Sequence, residues 1–278
     1  MRMETGEKKT NNCAIGVFDS GLGGLTAVKE LMQRLPKENI VYFGDTGRVP
    51  YGTRSNETII KYASQDIRFL LNFNIKLIVV ACGTASSVAL EQMRAQFKVP
   101  IVGVVKPAVE KAIALTRNKR IGIIGTPSTI SSKSYVRSIA QIAPDVHTVD
   151  KACPLFVPLV ENGYIDNQVA RLVTQEYLEP LKQEQVDTLI MGCTHYPLLK
   201  DTISAVMGKS VTLVDSGAET AKYVRDILEK KSALANEASK KQYRYFVSDS
   251  VKHFEEIGSL FLQKEIQNCV DKVDIEQY

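Results

Sequence analysis

Two short stretches carry the residues best suited to chemistry. Positions 77–84 read Leu-Ile-Val-Val-Ala-Cys-Gly-Thr, and positions 189–195 read Leu-Ile-Met-Gly-Cys-Thr-His. Each is an apolar run followed by a small residue, a cysteine and a nearby threonine, and each leads towards a helix. Cys82 and Cys193 lie 111 residues apart, about one domain's length. A side chain at the carboxyl end of a strand stands where open α/β sheets bind their ligands. A helix N-terminus just beyond it also favours a thiolate over a thiol. Two similar thiols on opposite sides of one carbon suit inversion of a stereocentre, because one face needs a base, the other an acid, and the reverse direction exchanges the roles. His195, two residues past Cys193, is in reach of the same site and could polarise the thiol or move a proton. Cysteine is also among the most often buried residue types, so packing is the better explanation of either position taken alone, and only the matched pair with Thr84 and Thr194 brings the two readings level. Spacing alone leaves both readings open.

Other segments could line such a site. Asp19-Ser20-Gly21-Leu22-Gly23-Gly24 follows the first apolar run. It lacks the G-x-G-x-x-G spacing of a dinucleotide site and the Gly-Lys-Ser/Thr of a P-loop, but glycines at a strand-to-helix turn bring backbone N–H groups to an anion such as a carboxylate. Asp19 is placed to be an acid or base, or simply to start a helix. Val49-Pro50-Tyr51-Gly52 reads as a rigid loop. In Gly125-Thr126-Pro127-Ser128-Thr129 the hydroxyls and amides are on offer, with Ser128 the expected helix cap. Glu161, read by itself, is a surface acid near a helix end, and His147 and His253 have no chemical company.

Apolar runs at 14–18, 40–43, 77–81, 101–105, 120–125, 146–149, 188–192, 211–214 and 243–247 predict strands. Helical spacing predicts helices at 24–35, 55–73 (with Ser55 as N-cap), 85–97 and 251–262. Strand–helix alternation of this kind predicts an α/β fold, doubly wound, with mainly parallel sheets and helices on both faces. The polar stretch 229–241 reads as a loop or frayed helix end, and residues 1–12 as a flexible tail.

The chain has 278 residues, 44% of them hydrophobic, and a formal net charge of +4 with both signs interspersed. That is enough for two domains of ordinary size, and it offers no basic footprint for nucleic acid. No apolar run reaches the roughly 18 residues of a membrane span, and the first dozen residues lack the apolar centre of a signal peptide. A cytoplasmic location is expected. Five scattered cysteines, Cys13, Cys82, Cys153, Cys193 and Cys269, are then free thiols.

The motifs together resemble the glutamate racemases of the aspartate/glutamate racemase family. The stretches that carry the resemblance are Ile15 to Gly24, Val49-Pro50-Tyr51-Gly52, the Cys82 segment and Gly192-Cys193-Thr194-His195-Tyr196-Pro197, in the family's order and spacing from about 14 to 262. The resemblance implies two similar α/β domains facing each other across the site. The first would span 13–106 plus a returning 217–278, and the second 107–216. It also implies a homodimer, no metal and no pyridoxal cofactor. Carried over by position, Cys82 and Cys193 are the two catalytic bases, assisted by Asp19 and His195, with Glu161 a further member. Ser20, Pro50, Tyr51, Gly52, Gly83, Thr84, Thr194 and, less centrally, Thr126 then line the place of the substrate's charged groups, beside Asp19 and His195. The product, D-glutamate, feeds peptidoglycan synthesis.

One departure stands out. The family usually has asparagine directly after the first cysteine, where this chain has Gly83. One lost hydrogen bond to a charged group costs about 1.5–3 kcal/mol of binding unless something replaces it. Other readings are a racemase of another amino acid such as aspartate, a zinc hydrolase using Cys82, Cys193 and His195, and a two-lobed binding protein without catalysis.

Overall fold

Every strand predicted from an apolar run is present in the computed structural model, which describes residues 12–236, 241–266 and 269–278. The first half lays down β1 (Ala14–Asp19), α1 (Leu25–Arg34), β2 (Ile40–Gly44), α2 (Asn56–Leu70), β3 (Ile75–Val80), α3 (Gly83–Val88), α4 (Leu90–Gln96) and β4 (Ile101–Gly103). After α5 (Val105–Leu115) the pattern starts again with β5 (Arg120–Gly125), α6 (Pro127–Ser131), α7 (Ser134–Ile142), β6 (His147–Ala152), α8 (Phe156–Glu161), α9 (Gln168–Gln183), β7 (Thr188–Met191), α10 (Lys200–Met207) and β8 (Thr212–Asp215). Then α11 (Ser216–Lys230), β9 (Tyr243–Val247), α12 (Val251–Leu262) and β10 (Val270–Lys272) complete the chain. Among the described residues, no helix is long and apolar enough to cross a membrane.

The strands form two sheets, ordered β10-β9-β2-β1-β3-β4 and β6-β5-β7-β8, with every pairing parallel. The second order repeats the inner part of the first, strand for strand: β6-β5-β7-β8 corresponds to β2-β1-β3-β4. In each, the chain steps from its first strand to one neighbour and then crosses back to the other side. Such a reversal opens a crevice at the carboxyl ends of the two strands that flank it, here β1/β3 in one sheet and β5/β7 in the other.

Parallel strands covered on both faces are apolar throughout, and β1 is buried at all six positions. Its side chains alternate: Ile15 and Val17 join the apolar cluster on one face, Ala14 and Phe18 the cluster on the other. The cluster that holds Ile15 and Val17 runs on through α1 and α11 to Phe156, Leu189 and Tyr196 of the second sheet's helices and strands. Gly217 at the start of α11 lets that helix settle against α1, since a Cβ there would lie 3.3 Å from the Ala27 Cα.

Local signals explain the element ends, and they also account for the differences from expectation. Ser55 caps α2 as expected, its hydroxyl accepting from the Thr58 N–H at 3.3 Å, a contact worth about 1 kcal/mol. The expected helix 85–97 begins earlier, at Gly83, and is broken at Ala89, whose φ of −106° lies between α3 and α4. Thr126, rather than Ser128, caps α6, accepting from the Thr129 N–H at 3.3 Å. Strand β6 continues through Asp150-Lys151-Ala152, because an edge strand with half-exposed residues tolerates charge. The three-residue edge strand β10 carries no apolar run that would announce it. The stretch 229–241 ends α11 and then runs without regular structure as far as 236. Its remainder within 237–240, like most of the expected tail 1–12, lies outside the described residues.

Candidate active site

Both cysteines occupy the same place in their sheets, just past the carboxyl end of the strand beside the chain reversal: Cys82 after β3 and Cys193 after β7. Across each crevice stands the first strand's end, Asp19-Ser20 at the end of β1 and Gly125-Thr126 at the end of β5. Both thiols are enclosed, with 4% of Cys82 and 9% of Cys193 exposed.

Cys82 is the N-cap of α3. Its sulfur accepts from the Ala85 N–H at 3.4 Å, and its S–H points to the Ser20 hydroxyl oxygen at 3.6 Å. Burial, then the negative charge of Asp19, push this thiol up to about 12, against the pull of Ala85 and Ser20. At neutral pH it therefore carries its proton. Asp19 is buried too. One carboxyl oxygen accepts from the Gly21 N–H at 3.1 Å, and the other has no hydrogen-bond partner. Burial raises its pKa, while His195 and the amides of Gly24, Gly21 and Ser20 pull it back. A buried orphan carboxyl oxygen calls for an explanation, and a ligand's cationic group is a fitting partner.

The Cys193 side is built differently. The His195 Nδ1 stands 3.9 Å from the Cys193 sulfur, and its Nε2 lies 2.9 Å from a Glu161 oxygen. Burial by itself would lower the imidazole pKa, but the hydrogen bonds and charges of Cys193 and Glu161 outweigh it and hold His195 at about 10. The ring is then an imidazolium at neutral pH, with both nitrogens as donors. Phe261 of α12 meets it edge-on, centroids 5.3 Å apart, so a residue from late in the chain clamps the second half's histidine. Glu161, a surface acid by sequence alone, is drawn in because α8 ends beside the 193–195 loop.

Hydroxyls join the two halves. Thr26 donates to the Thr194 carbonyl at 3.0 Å, the Thr84 and Thr126 hydroxyls lie 2.9 Å apart, and Ser128 donates to the Gly52 carbonyl at 2.7 Å. Thr84 and Thr126 thus meet across the cleft, where Gly52 also faces Thr126 and Gly83 faces the Gly192 backbone beside Cys193 and Thr194. Pro50 follows a cis peptide bond with Val49 and lies on the exposed side of that loop. Tyr51 turns away from the cleft, its hydroxyl between the carboxylates of Asp45 and Asp66; only its backbone is left for a ligand. Burial, then Asp45, raise Asp66 well above the usual range, against the pull of Arg48 and the Tyr51 hydroxyl.

Sequence reasoning missed that buried network. Arg48 bonds Asp45 at 2.7 Å, Gln65 at 2.6 Å and Asp66 at 3.2 Å, and Ser248 donates to Asp45 at 2.8 Å. It underpins the 49–52 loop from three separate stretches of chain, and the Asp45/Arg48 spacing was its only local signal. Thr26 and the cross-cleft bond of Ser128 were missed as well. His147 pairs with Glu184 at 3.4 Å on the surface and has no part here. Among the described residues, no group of three or more His, Cys, Asp and Glu is disposed to hold a metal ion.

Comparison with known proteins identifies the family. The family described as Asp/Glu/Hydantoin racemase matches residues 20–224, a span holding Ser20, both cysteines, His195 and Glu161. A glutamate racemase of Geobacter metallireducens is 49% identical over 90% of this chain and 92% of its own. The crystal structure of the glutamate racemase isoform RacE1 from Bacillus anthracis superposes with a TM-score of 0.92, at 39% identity, over 95% of this chain and 98% of that one. That of the glutamate racemase from Francisella tularensis in complex with D-glutamate does so with a TM-score of 0.89, at 36% identity, over 96% and 100%. With a match over more than half its length and relatives of this identity along nearly all of it, the chain belongs to the Asp/Glu/hydantoin racemase family.

Proposed function

We propose that the chain interconverts L- and D-glutamate by passing a proton through the substrate's Cα between Cys193 and Cys82. The carrying observation is the pair of thiols at equivalent positions of two sheets of the same strand order, each with its own proton-handling neighbour. Glutamate is the substrate class because the relatives are glutamate racemases, one of them solved with D-glutamate. Racemisation makes the chain an isomerase, and its product D-glutamate supplies peptidoglycan synthesis.

In one direction the Cys193 sulfur, as thiolate, takes the Cα proton and becomes a thiol. The C–H electron pair remains on the substrate as a carbanion delocalised into its α-carboxylate. Cys82 then gives its S–H proton to the opposite face and becomes the thiolate. In the other direction the roles exchange. The starting states favour this assignment: Cys82 carries its proton, and the His195 imidazolium can hydrogen-bond an anionic sulfur at Cys193. Without an electron sink, the carbanion must be stabilised by preorganised donors. Hydroxyls of Ser20, Thr84, Thr126 and Thr194, and the backbone of Tyr51 and Gly52, are the donors on hand. The orphan oxygen of Asp19 suits the substrate ammonium.

The division into 13–106 with 217–278 and 107–216 goes with this reading, since it gives each cysteine its own sheet. The enzyme is taken to be a cytoplasmic homodimer that works on a free amino acid, with no nucleic acid or membrane partner. The test is incubation with L-glutamate, and separately L-aspartate, in deuterium oxide without added cofactor. Cα deuterium and loss of optical rotation with glutamate alone are the expected outcome. Exchange with aspartate alone would reassign the substrate, and silence with both would overturn the activity.

A further inference from the structure

At Gly83 the two halves come into close backbone contact. A Cβ built on it overlaps the carbonyl oxygen of Gly192, the residue before Cys193. That overlap cannot be relieved by a side-chain rotation, because both partners are backbone. Nor can Gly192 retreat, since its N–H is bonded to the Ile124 carbonyl at 2.8 Å and the Tyr135 ring lies behind its Cα, 3.3 Å from where a Cβ would sit. Gly83 in turn is fixed at the start of α3, behind its Cys82 cap. A second close approach, this one against side chains, lies nearby. A Cβ on Gly23 overlaps the Thr194 hydroxyl and comes within 2.5 Å of the His195 Nδ1. The three hydroxyl bonds between the halves, Thr26 to Thr194, Thr84 to Thr126 and Ser128 to Gly52, hold the same approach.

We propose that Gly83, with Gly23, sets how far the cleft shuts, and that this chain closes its two cysteine-bearing edges to backbone contact as a side chain at position 83 would forbid. Gly83 is a positioning residue: it touches neither thiol's proton but fixes the distance across which they work. In this chain an asparagine at 83, as the resembled family usually has, would have to displace the Gly192 carbonyl or hold the halves further apart, and would add an amide. This chain gives up that amide for tighter enclosure. The shut state excludes water and faces the thiols across one carbon, whereas the open state admits the substrate.

The inference builds on the proposed pairing of Cys82 with Cys193, but its test reads access rather than turnover, so the two stand or fall separately. The intact protein is treated with iodoacetamide, and each cysteine is followed by peptide mass spectrometry. Gly83→Ala and Gly83→Asn are expected to speed alkylation of Cys82 and Cys193 about tenfold by raising the open population. Cys153, fully enclosed within the second half, stays at the wild-type rate. Gly23→Ala presses on the Thr194 hydroxyl and the His195 ring from another segment; it should also speed alkylation, by a smaller factor because the threonine can rotate aside, and it serves as the second variant if position 83 tolerates no side chain. Unchanged rates at Cys82 and Cys193 would overturn the proposal. So would a rise at Cys153 in step with them, which marks general unfolding instead of opening.

Discussion

The two strand ends that look alike in sequence are unlike as chemical environments. Cys82 has a carboxylate for a neighbour and a helix amide on its sulfur, and burial keeps its proton in place to about 12. Cys193 has an imidazolium, itself braced by a glutamate. A repeated strand order delivers a thiol to each side of a cleft, but it does not dictate what stands next to it. In the proposed two-thiol reaction, one fold then presents an acid and a base from the same residue type, and the neighbours rather than the thiols assign the roles.

The largest expected effect tests whether both sides are needed. Cys82→Ala and Cys193→Ala should each lower racemisation of glutamate by about a thousandfold, the usual scale for losing one proton-transfer group. Ordinary turnover in either variant would remove the two-base reading. Next come the helpers. Asp19→Asn and His195→Asn should each reduce kcat/KM by about a hundredfold. Because enantiomers in water have equal free energy, that loss must be the same in both directions. The sides separate in the isotope effect of Cα-deuterated substrate, which should grow for opposite enantiomers in the two variants. Growth for the same enantiomer in both would mean that the helpers do not serve separate thiols.

A milder change probes the Cys193 side alone. Glu161→Gln removes one of the charges that hold the His195 proton, so kcat/KM should fall about tenfold and its alkaline limb should move to lower pH. An unmoved limb would detach Glu161 from the chemistry. The last test involves no turnover. His195 is held at about 10 in the folded chain, above its ordinary value of about 6.5. The folded state thus binds this proton more tightly than the unfolded one. The stabilisation is complete below about pH 6.5 and is lost as pH rises through about 10. Urea denaturation of His195→Gln across that window should lack this decline, and an identical slope in both proteins would show that the histidine proton is not bound more tightly on folding.

Much of this was written in local sequence. Continuous apolar runs gave the buried strands, because a strand covered on both faces needs nothing else, and Ser55 announced its helix. What escaped depended on distant partners. Strand β10 is three residues of ordinary polarity whose identity as a strand comes only from β9. Thr126 outcompetes Ser128 as a cap because Ser128's hydroxyl is taken by Gly52 across the cleft. Glu161 looks like any surface acid until His195 arrives from 34 positions away. The Asp45–Arg48–Asp66 network and the contacts of Gly23 and Gly83 are likewise set by tertiary approach, which no periodicity encodes.

The placement of β9 carries a consequence for how the molecule is made. It pairs with β2, Ile40 against Tyr243, so the six-stranded sheet joins segments some two hundred residues apart, whereas the four strands of the other sheet all fall within 120–215. Short-range sheets assemble sooner than long-range ones, and chains leave the ribosome N-terminal end first. The later-encoded half can therefore complete its sheet while the earlier one still lacks an edge. Ser248, which holds Asp45 beneath the 49–52 loop, comes in just after that strand. The newborn chain thus acquires this support of its 49–52 loop among its final acts of folding.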